Sequence, residues 1–342
     1  MKKKLLSVLC CTAMLTGLLA GCTSNTEKPG STSTEASTAA QESTTAAEEA
    51  SKPEEQTADL VANGDYKVAL ITMDSIDQHW ITLHEGAKAE ADALGITLDF
   101  MSPDTKDDAK QIECINNAVA GGYDALIVAA NSEDAVSGAL KEAVDAGIKL
   151  VYVDSPADVK AEATFSTDNK QAGVIAGEQM LEALKTKGVT EGSIGIVNVN
   201  TSTNSTIMRE EGFREAFDKS GFTILETQYC DGDAARAQTI AENYLTEGVV
   251  GIFGANEGSS TGVGNAIKAA DADVVGVGFD KSDSIKGLIT DGFLLCTMAQ
   301  NPDVMGKLGV DAAVRALNGE ALGGKVEDTG VTVINLKNVA EY

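Results

Sequence analysis

The chain has 342 residues, 26 basic and 52 acidic, for a formal charge of −26, which excludes the basic face that nucleic-acid phosphates require. Its apolar fraction of 43% is enough for a sizeable core, and the length allows about two domains. Only two histidines are present, His79 and His84, too few for a multi-histidine metal site, and no cofactor is expected.

In chain order, the first residues read as an address. Lys2, Lys3 and Lys4 precede an apolar run over 5–20 and then small residues. This is the layout of a secretory signal, too short and wrongly flanked to span a bilayer. The stretch Leu19-Ala20-Gly21-Cys22 resembles the lipobox of bacterial lipoproteins, in which the cysteine is lipidated and becomes the new N-terminus. Residues 1–21 are therefore expected to be a lipoprotein signal peptide. Cys22 is expected to anchor the chain on the extracytoplasmic face of the cell membrane. Residues 23–59 contain no Val, Ile, Leu, Met or aromatic residue. Such a segment cannot bury enough apolar surface to offset its ordering entropy, so 22–64 is expected to be the lipidated cysteine and a disordered tether. Beyond it Cys114, Cys230 and Cys296 show no CxxC spacing and imply no disulfide framework.

From residue 65 strands and helices alternate. Apolar, β-branched runs predict strands over 66–73, 96–101, 123–130, 148–153, 193–199, 222–229, 249–254, 274–279, 294–299 and 331–336. Helical periodicity predicts helices over 80–94, 107–120, 133–146, 169–187, 206–219, 234–247, 259–270, 282–291 and 303–318. Gly95, Gly121 and Gly147 stand where helices should stop. Near-continuous apolar strands separated by helices imply parallel sheets covered on both faces. Roughly ten strands exceed one small core, which points to two doubly wound lobes.

An internal echo points the same way. Asp124–Asp154 and Val250–Asp280 are both 31 residues long, and each reads as strand, Ala-Asn, helix, strand and terminal Asp. Asn131 and Asn256, and likewise Asp154 and Asp280, would then sit at carboxyl ends of strands, where open α/β sheets bind ligands.

Enzyme motifs fail by comparison. Gly276-Val277-Gly278 follows a strand, but the GxGxxG frame breaks at Lys281. Gly258-Ser259-Ser260-Thr261-Gly262 fits GxSxG, yet both histidines lie upstream of the serine, whereas a nucleophile elbow needs one downstream. No enzymatic activity is expected.

The segments ALITMDSIDQHWITLHEGA, VYVDSP, FSTDNKQAG, MREEGF, GIFGANEGSS, VVGVGFD, ITDGF and TMAQNPDVMG, in this order over residues 65–340, resemble the ribose- and galactose-binding proteins of ABC transporters. The resemblance implies a periplasmic binding protein-like type I fold: α/β, two doubly wound parallel-sheet lobes joined by three hinge crossovers. The N-terminal lobe would be 65–167 plus 300–328 and the C-terminal lobe 168–299 plus 329–342. It further implies an anchored, monomeric substrate-binding protein that captures a monosaccharide or similar small polar solute by hinge closure and delivers it to permease and ATPase subunits. A receptor feeding a sensor kinase or chemoreceptor is the alternative.

By the same resemblance, Asp77, His79 and Trp80 supply a polar group and aromatics to the sugar, and Asp154 accepts hydroxyl bonds. Asn256, Asp280 and Gln300 match contacts from the second lobe and hinge. The internal echo adds Asn131, while His84 is expected to be structural. Three positions depart from the ribose binders: Ser155 and Ile207 replace arginines, and Gly232 replaces an aromatic. These departures place ribose in doubt. Asn204, with Ser205 and Thr206, could supply neutral donors in that wall. Arg209 is expected to be a structural cation outside the cleft, and a cleft without arginine would also suit a cationic solute.

Overall fold

The computed structural model describes residues 60–342. The signal segment, Cys22 and residues 23–59 of the tether lie outside the described residues.

The apolar runs form strands because their side chains can be buried on both faces. In the first lobe these are β1 (Lys67–Ile71), β2 (Thr97–Phe100), β3 (Ala125–Val128), β4 (Lys149–Val153) and β5 (Ala163–Ser166). The helices between them are α1 (Gln78–Leu94), α2 (Asp108–Ala120) and α3 (Ser137–Asp145). Trp80, Leu83 and Ala87 of α1 are buried on one face of this sheet, and Ile115 of α2 and Leu140 of α3 on the other. Gly95, at φ 68°, ends α1 with its amide on the last-turn carbonyls.

The second lobe follows the same scheme. Its strands are β6 (Gly192–Asn198), β7 (Phe222–Ile224), β8 (Gln228–Tyr229), β9 (Gly251–Gly254), β10 (Val275–Phe279) and β11 (Cys296–Gln300). Helices α4 (Asn169–Thr186), α5 (Asn204–Ala216), α6 (Ala234–Thr246), α7 (Glu257–Ala270) and α8 (Asp283–Thr290) surround them. The side chains of Asp168, Asp233, Asn256 and Ser282 cap α4, α6, α7 and α8, each accepting from an amide of the first turn. The chain then returns to the first lobe through α9 (Pro302–Leu317) and β12 (Lys325–Asp328) and ends in the second with β13 (Val331–Asn335).

The sheet orders are β12-β5-β4-β3-β1-β2 and β13-β11-β10-β9-β6-β7, with β8 continuing beside β6. The chain thus passes between sheets three times, at 166–169, 300–302 and 328–331. These segments are laced together: Thr329 donates its amide to the Ser166 carbonyl (2.9 Å), and Asp168 to the Asp328 carboxylate (2.9 Å).

Four local expectations are corrected. First, β5 and β12 were not legible as strands. They are four residues each, β12 is mostly exposed and Lys325-Val326-Glu327-Asp328 carries no apolar run; β5 is a strand through its pairing with β4, and β12 through its pairing with β5. Second, 222–229 breaks in two, because β7 pairs with Gly192–Ile194 and β8 with Val197–Asn198. Between them Thr227 leaves the ladder and donates its hydroxyl to Glu210 at 2.5 Å. Third, β13 runs antiparallel to β11. It enters from the first lobe without a covering helix, and an antiparallel strand at the edge of a parallel sheet needs no crossover. Fourth, the helix expected from residue 133 begins at Ser137. Among the described residues no helix is long and apolar enough to cross a membrane, and Cys114, Cys230 and Cys296 are free.

Candidate functional site

The carboxyl ends of the two sets of parallel strands face one cleft, and the internal echo reappears there as backbone geometry. Asp154 follows β4 and Asp280 follows β10, with φ of 59° and 72°. Non-glycine residues rarely adopt this left-handed conformation, and it costs free energy unless the surroundings hold it. Both are held alike. Asp154 donates its amide to the Phe165 carbonyl and Asp280 to that of Met298, each at 2.9 Å. Their own carbonyls accept hydroxyls from Ser166 (2.6 Å) and Thr297 (2.7 Å). The turn throws each carboxylate off its strand and into the cleft.

The first turn of α1 inserts His79 between these carboxylates. Its Nε2 lies 3.0 Å from Asp154 Oδ2, and its Nδ1 lies 3.6 Å from Asp280 Oδ1. Burial works against the imidazolium, but Asp280 and Asp154 outweigh it and hold the His79 pKa above its ordinary value. Burial likewise opposes ionisation of Asp154, yet the His79 hydrogen bond and charge, followed by Arg209, hold that carboxyl below its usual range. Trp80 meets His79 edge-on with ring centroids 4.6 Å apart. Its indole donates to Asp74 at 3.1 Å, so the ring is fixed at the cavity wall and its polar tip is already bonded. Asp77 begins the helix without capping it and accepts instead from Lys106 at 2.7 Å.

From the second lobe comes Arg209, which is 2% exposed. The α4–α5 crossing aims it. A side chain at Gly173 would place its Cβ 2.1 Å from the Arg209 carbonyl oxygen, and one at Gly212 would lie 1.9 Å from that of Lys170. Glycine therefore brings the two backbones into contact. Arg209 donates from Nε to Asn169 at 2.7 Å and from Nη1 to the Ala255 carbonyl at 3.0 Å, and it stacks on Phe279 at 3.8 Å. Its buried Nη2 has no hydrogen-bond partner and lies 3.9 Å from Asp154. Gln300 donates to Asp280 at 2.6 Å, and its Oε1 is also buried without a partner. One buried donor and one buried acceptor are left open at the closed interlobe cavity, whose free space is about 20 Å³.

That cavity is lined by Asp77, His79, Trp80 and Asp154 from the first lobe and by Asn256, Asp280 and Gln300 from the second lobe and hinge. Asn131 and Asn204 are placed outside it. Asn131 donates to Asp108 at 2.5 Å, and Asn204 donates to Glu133 at 3.0 Å. The echo misleads at Asn131 because its counterpart Asn256 caps α7, whereas α3 starts several residues after Asn131. Ser205 and Thr206 line the cavity, as do Lys106 and Arg209. The expected cleft without arginine is thereby corrected: Arg209 lies two positions beyond Ile207, yet the helix crossing turns it inward. Lys106 carried no signal in the sequence, since it sits in a loop and is fixed by the tertiary contact alone.

The two lobes touch on both sides of the cavity. The Glu257 carboxylate accepts from the Gln78 and His79 amides at 3.1 Å each, at the positive end of α1. Burial, then Asp77 and Asp280, push the Glu257 carboxyl up to about 7. Opposite, Thr203 donates its hydroxyl to the Asn131 carbonyl at 2.6 Å, and the Ser205 amide donates to the Ser155 hydroxyl at 3.3 Å. Among the described residues no group of three or more His, Cys, Asp or Glu side chains is placed to hold a metal ion.

Residues 68–321 match the periplasmic binding protein domain family. The ribose import binding protein of Haemophilus influenzae is 29% identical over 277 residues, covering 80% of this chain and 90% of that one. An ABC transporter solute-binding protein of Agrobacterium vitis, solved with α-D-tagatopyranose, superposes with a TM-score of 0.76 at 29% identity, covering 81% of this chain and 96% of that one. A second one from Agrobacterium vitis, solved with D-fucose, gives 0.75 at 31% identity, covering 80% and 96%.

Proposed function

Because the chain belongs to the periplasmic binding protein domain family, we propose that it is the substrate-binding protein of an ABC transporter and captures a neutral monosaccharide between its lobes. The observation that carries the ligand class is the charge pattern of the cavity. Its wall presents three carboxylates, Asp77, Asp154 and Asp280, and three basic groups, His79, Lys106 and Arg209. A charged solute would bury a charge that the wall leaves uncompensated, at a high desolvation cost. A polyhydroxylated ring suits both signs, donating hydroxyls to the carboxylates and accepting from the open Arg209 nitrogen. Arg209 and Lys106 likewise disfavour the cationic solute. Trp80 and His79 line the cavity with aromatic rings, which suit the C–H side of a sugar. Relatives bound to tagatopyranose and fucose support the same class. Members act by binding, and the site acts here through contacts from both sides: Asp154 and His79 on one lobe, Arg209, Asn256 and Asp280 on the other.

In this reading the moving bodies are 65–167 plus 300–328 and 168–299 plus 329–342, hinged where the three laced segments cross. Neither half-site binds tightly alone, so the ligand favours closure by its differential affinity for the closed form. Lipidation at Cys22 would hold the protein at the extracytoplasmic membrane surface, beside the permease and ATPase subunits it serves as a monomer. A thermal-shift screen of pentoses, hexoses and deoxyhexoses should identify sugars that raise Tm. Small-angle scattering with the best of them should show a smaller radius of gyration, with the sugar recovered unmodified. A constant radius, or a chemically altered sugar, refutes the proposal.

A further inference from the structure

Lys106 belongs to the loop between β2 and α2, yet its side chain is only 7% exposed. Its ammonium is bonded to the carboxylates of Asp74 and Asp77 of the same lobe. Its methylenes then reach the other lobe. A Cβ built on Gly232 would lie 2.8 Å from Lys106 Cδ and 2.9 Å from Cε, so the absence of a side chain at Gly232 is what admits the lysine. Asp231-Gly232-Asp233 forms the loop before α6, and Gly232 holds a φ of 74° there. Lys106 and Asp77 are also the two residues common to the ligand cavity and to an outer groove of about 320 Å³ that runs along this loop.

We propose that Lys106, seated on Gly232, is a specificity-determining partition that separates the sugar cavity from the outer groove and limits the ligand to an unsubstituted monosaccharide. The inference rests on the sugar-binding reading above and adds where ligand size is set. The side chain suits this role because both ends are fixed, the ammonium by two carboxylates and the stem by a facing backbone. A substituent on the sugar at that end would have to displace a buried ion pair. Without the lysine, Asp77 is the one remaining residue shared by cavity and groove.

The test compares wild type with Lys106→Ala, using D-ribose, D-allose, D-fucose and D-galactose together with their methyl glycosides and O-methyl ethers. Wild type should bind a parent sugar and reject its derivative substituted at the Lys106 end. Lys106→Ala should bind that derivative at least ~10-fold more tightly than wild type does, while Lys106→Arg keeps the rejection. A folded Lys106→Ala that still rejects every derivative overturns the inference and leaves the sugar-binding reading standing. Failure of wild type to bind any sugar overturns both. Because Lys106→Ala leaves Asp74 and Asp77 without their counter-charge, Lys106→Ala/Asp74→Asn serves as a second variant. Wild type supplies a further readout: saturating sugar should slow reductive methylation of Lys106 but not of exposed Lys141. Equal slowing of both, or of neither, also refutes the partition.

Discussion

Asp154→Asn tests the electrostatics of the cleft most directly. The substitution keeps shape and removes one charge. In the intact protein that charge faces His79 Nε2 at 3.0 Å and Arg209 Nη2 at 3.9 Å, with both ion pairs almost fully buried. Repulsion among the cleft acids alone would make its removal neutral or favourable. The structure reverses that sign, because the carboxylate is surrounded by cations. Removing one partner of a buried pair costs about 3–5 kcal/mol. Asp280 remains 3.6 Å from His79, which places the loss at the lower end, about 3 kcal/mol.

The pH dependence has two edges. The pKa of His79 is raised, so its contribution is complete below the unfolded value of about 6.5 and is lost as pH rises through the folded one. The pKa of Asp154 is lowered, so its contribution is present above about 3.9 and is lost as pH falls through the folded value. The stability difference between wild type and variant should therefore be largest between about pH 4 and 6.5 and shrink on the alkaline side. Urea unfolding at about pH 5.5 and pH 9 measures both points. Titration calorimetry with the sugar giving the largest thermal shift should show affinity weakened by about 2 kcal/mol, or about 30-fold, for the lost charged hydrogen bonds. Equal stability of variant and wild type at the acidic point would refute the ion-pair reasoning. Unchanged affinity would remove Asp154 from the site.

Two further outcomes are expected. The Glu257 carboxyl is raised to about 7, so wild type should lose roughly 3 kcal/mol of stability between about pH 4.5 and 7, where the unfolded chain ionises the group and the folded interface keeps it protonated, and Glu257→Gln should not; parallel urea curves against pH for the two proteins would contradict this. Cys22→Ser should release a folded, unlipidated protein from the membrane, and fractionation of the variant with membranes as for wild type would refute the anchor.

Much of this molecule is determined locally. The alternation of apolar runs and amphipathic helices makes two parallel-sheet lobes legible, since burial on both faces requires continuous apolarity and helices require a 3.6-residue period. Asp154 and Asp280 are legible as a pair because each ends a strand of the same echo, and a strand-end carboxylate has few uses outside a ligand site. Other features have no local cause. The strands β5 and β12 exist only through tertiary pairing, β5 on β4 and β12 on β5, and the two asparagines of the echo separate because only one of them caps a helix. Arg209 and Lys106 carry the sharpest lesson. Along the chain the first is one charge on a helix and the second one charge in a loop, positions usually solvated. The glycine-mediated α4–α5 crossing buries Arg209, and the approach of Gly232 buries Lys106. Sequence periodicity determines which face of an element is apolar. Which cation is trapped between two lobes depends on how closely distant backbones meet, and only the tertiary structure decides that.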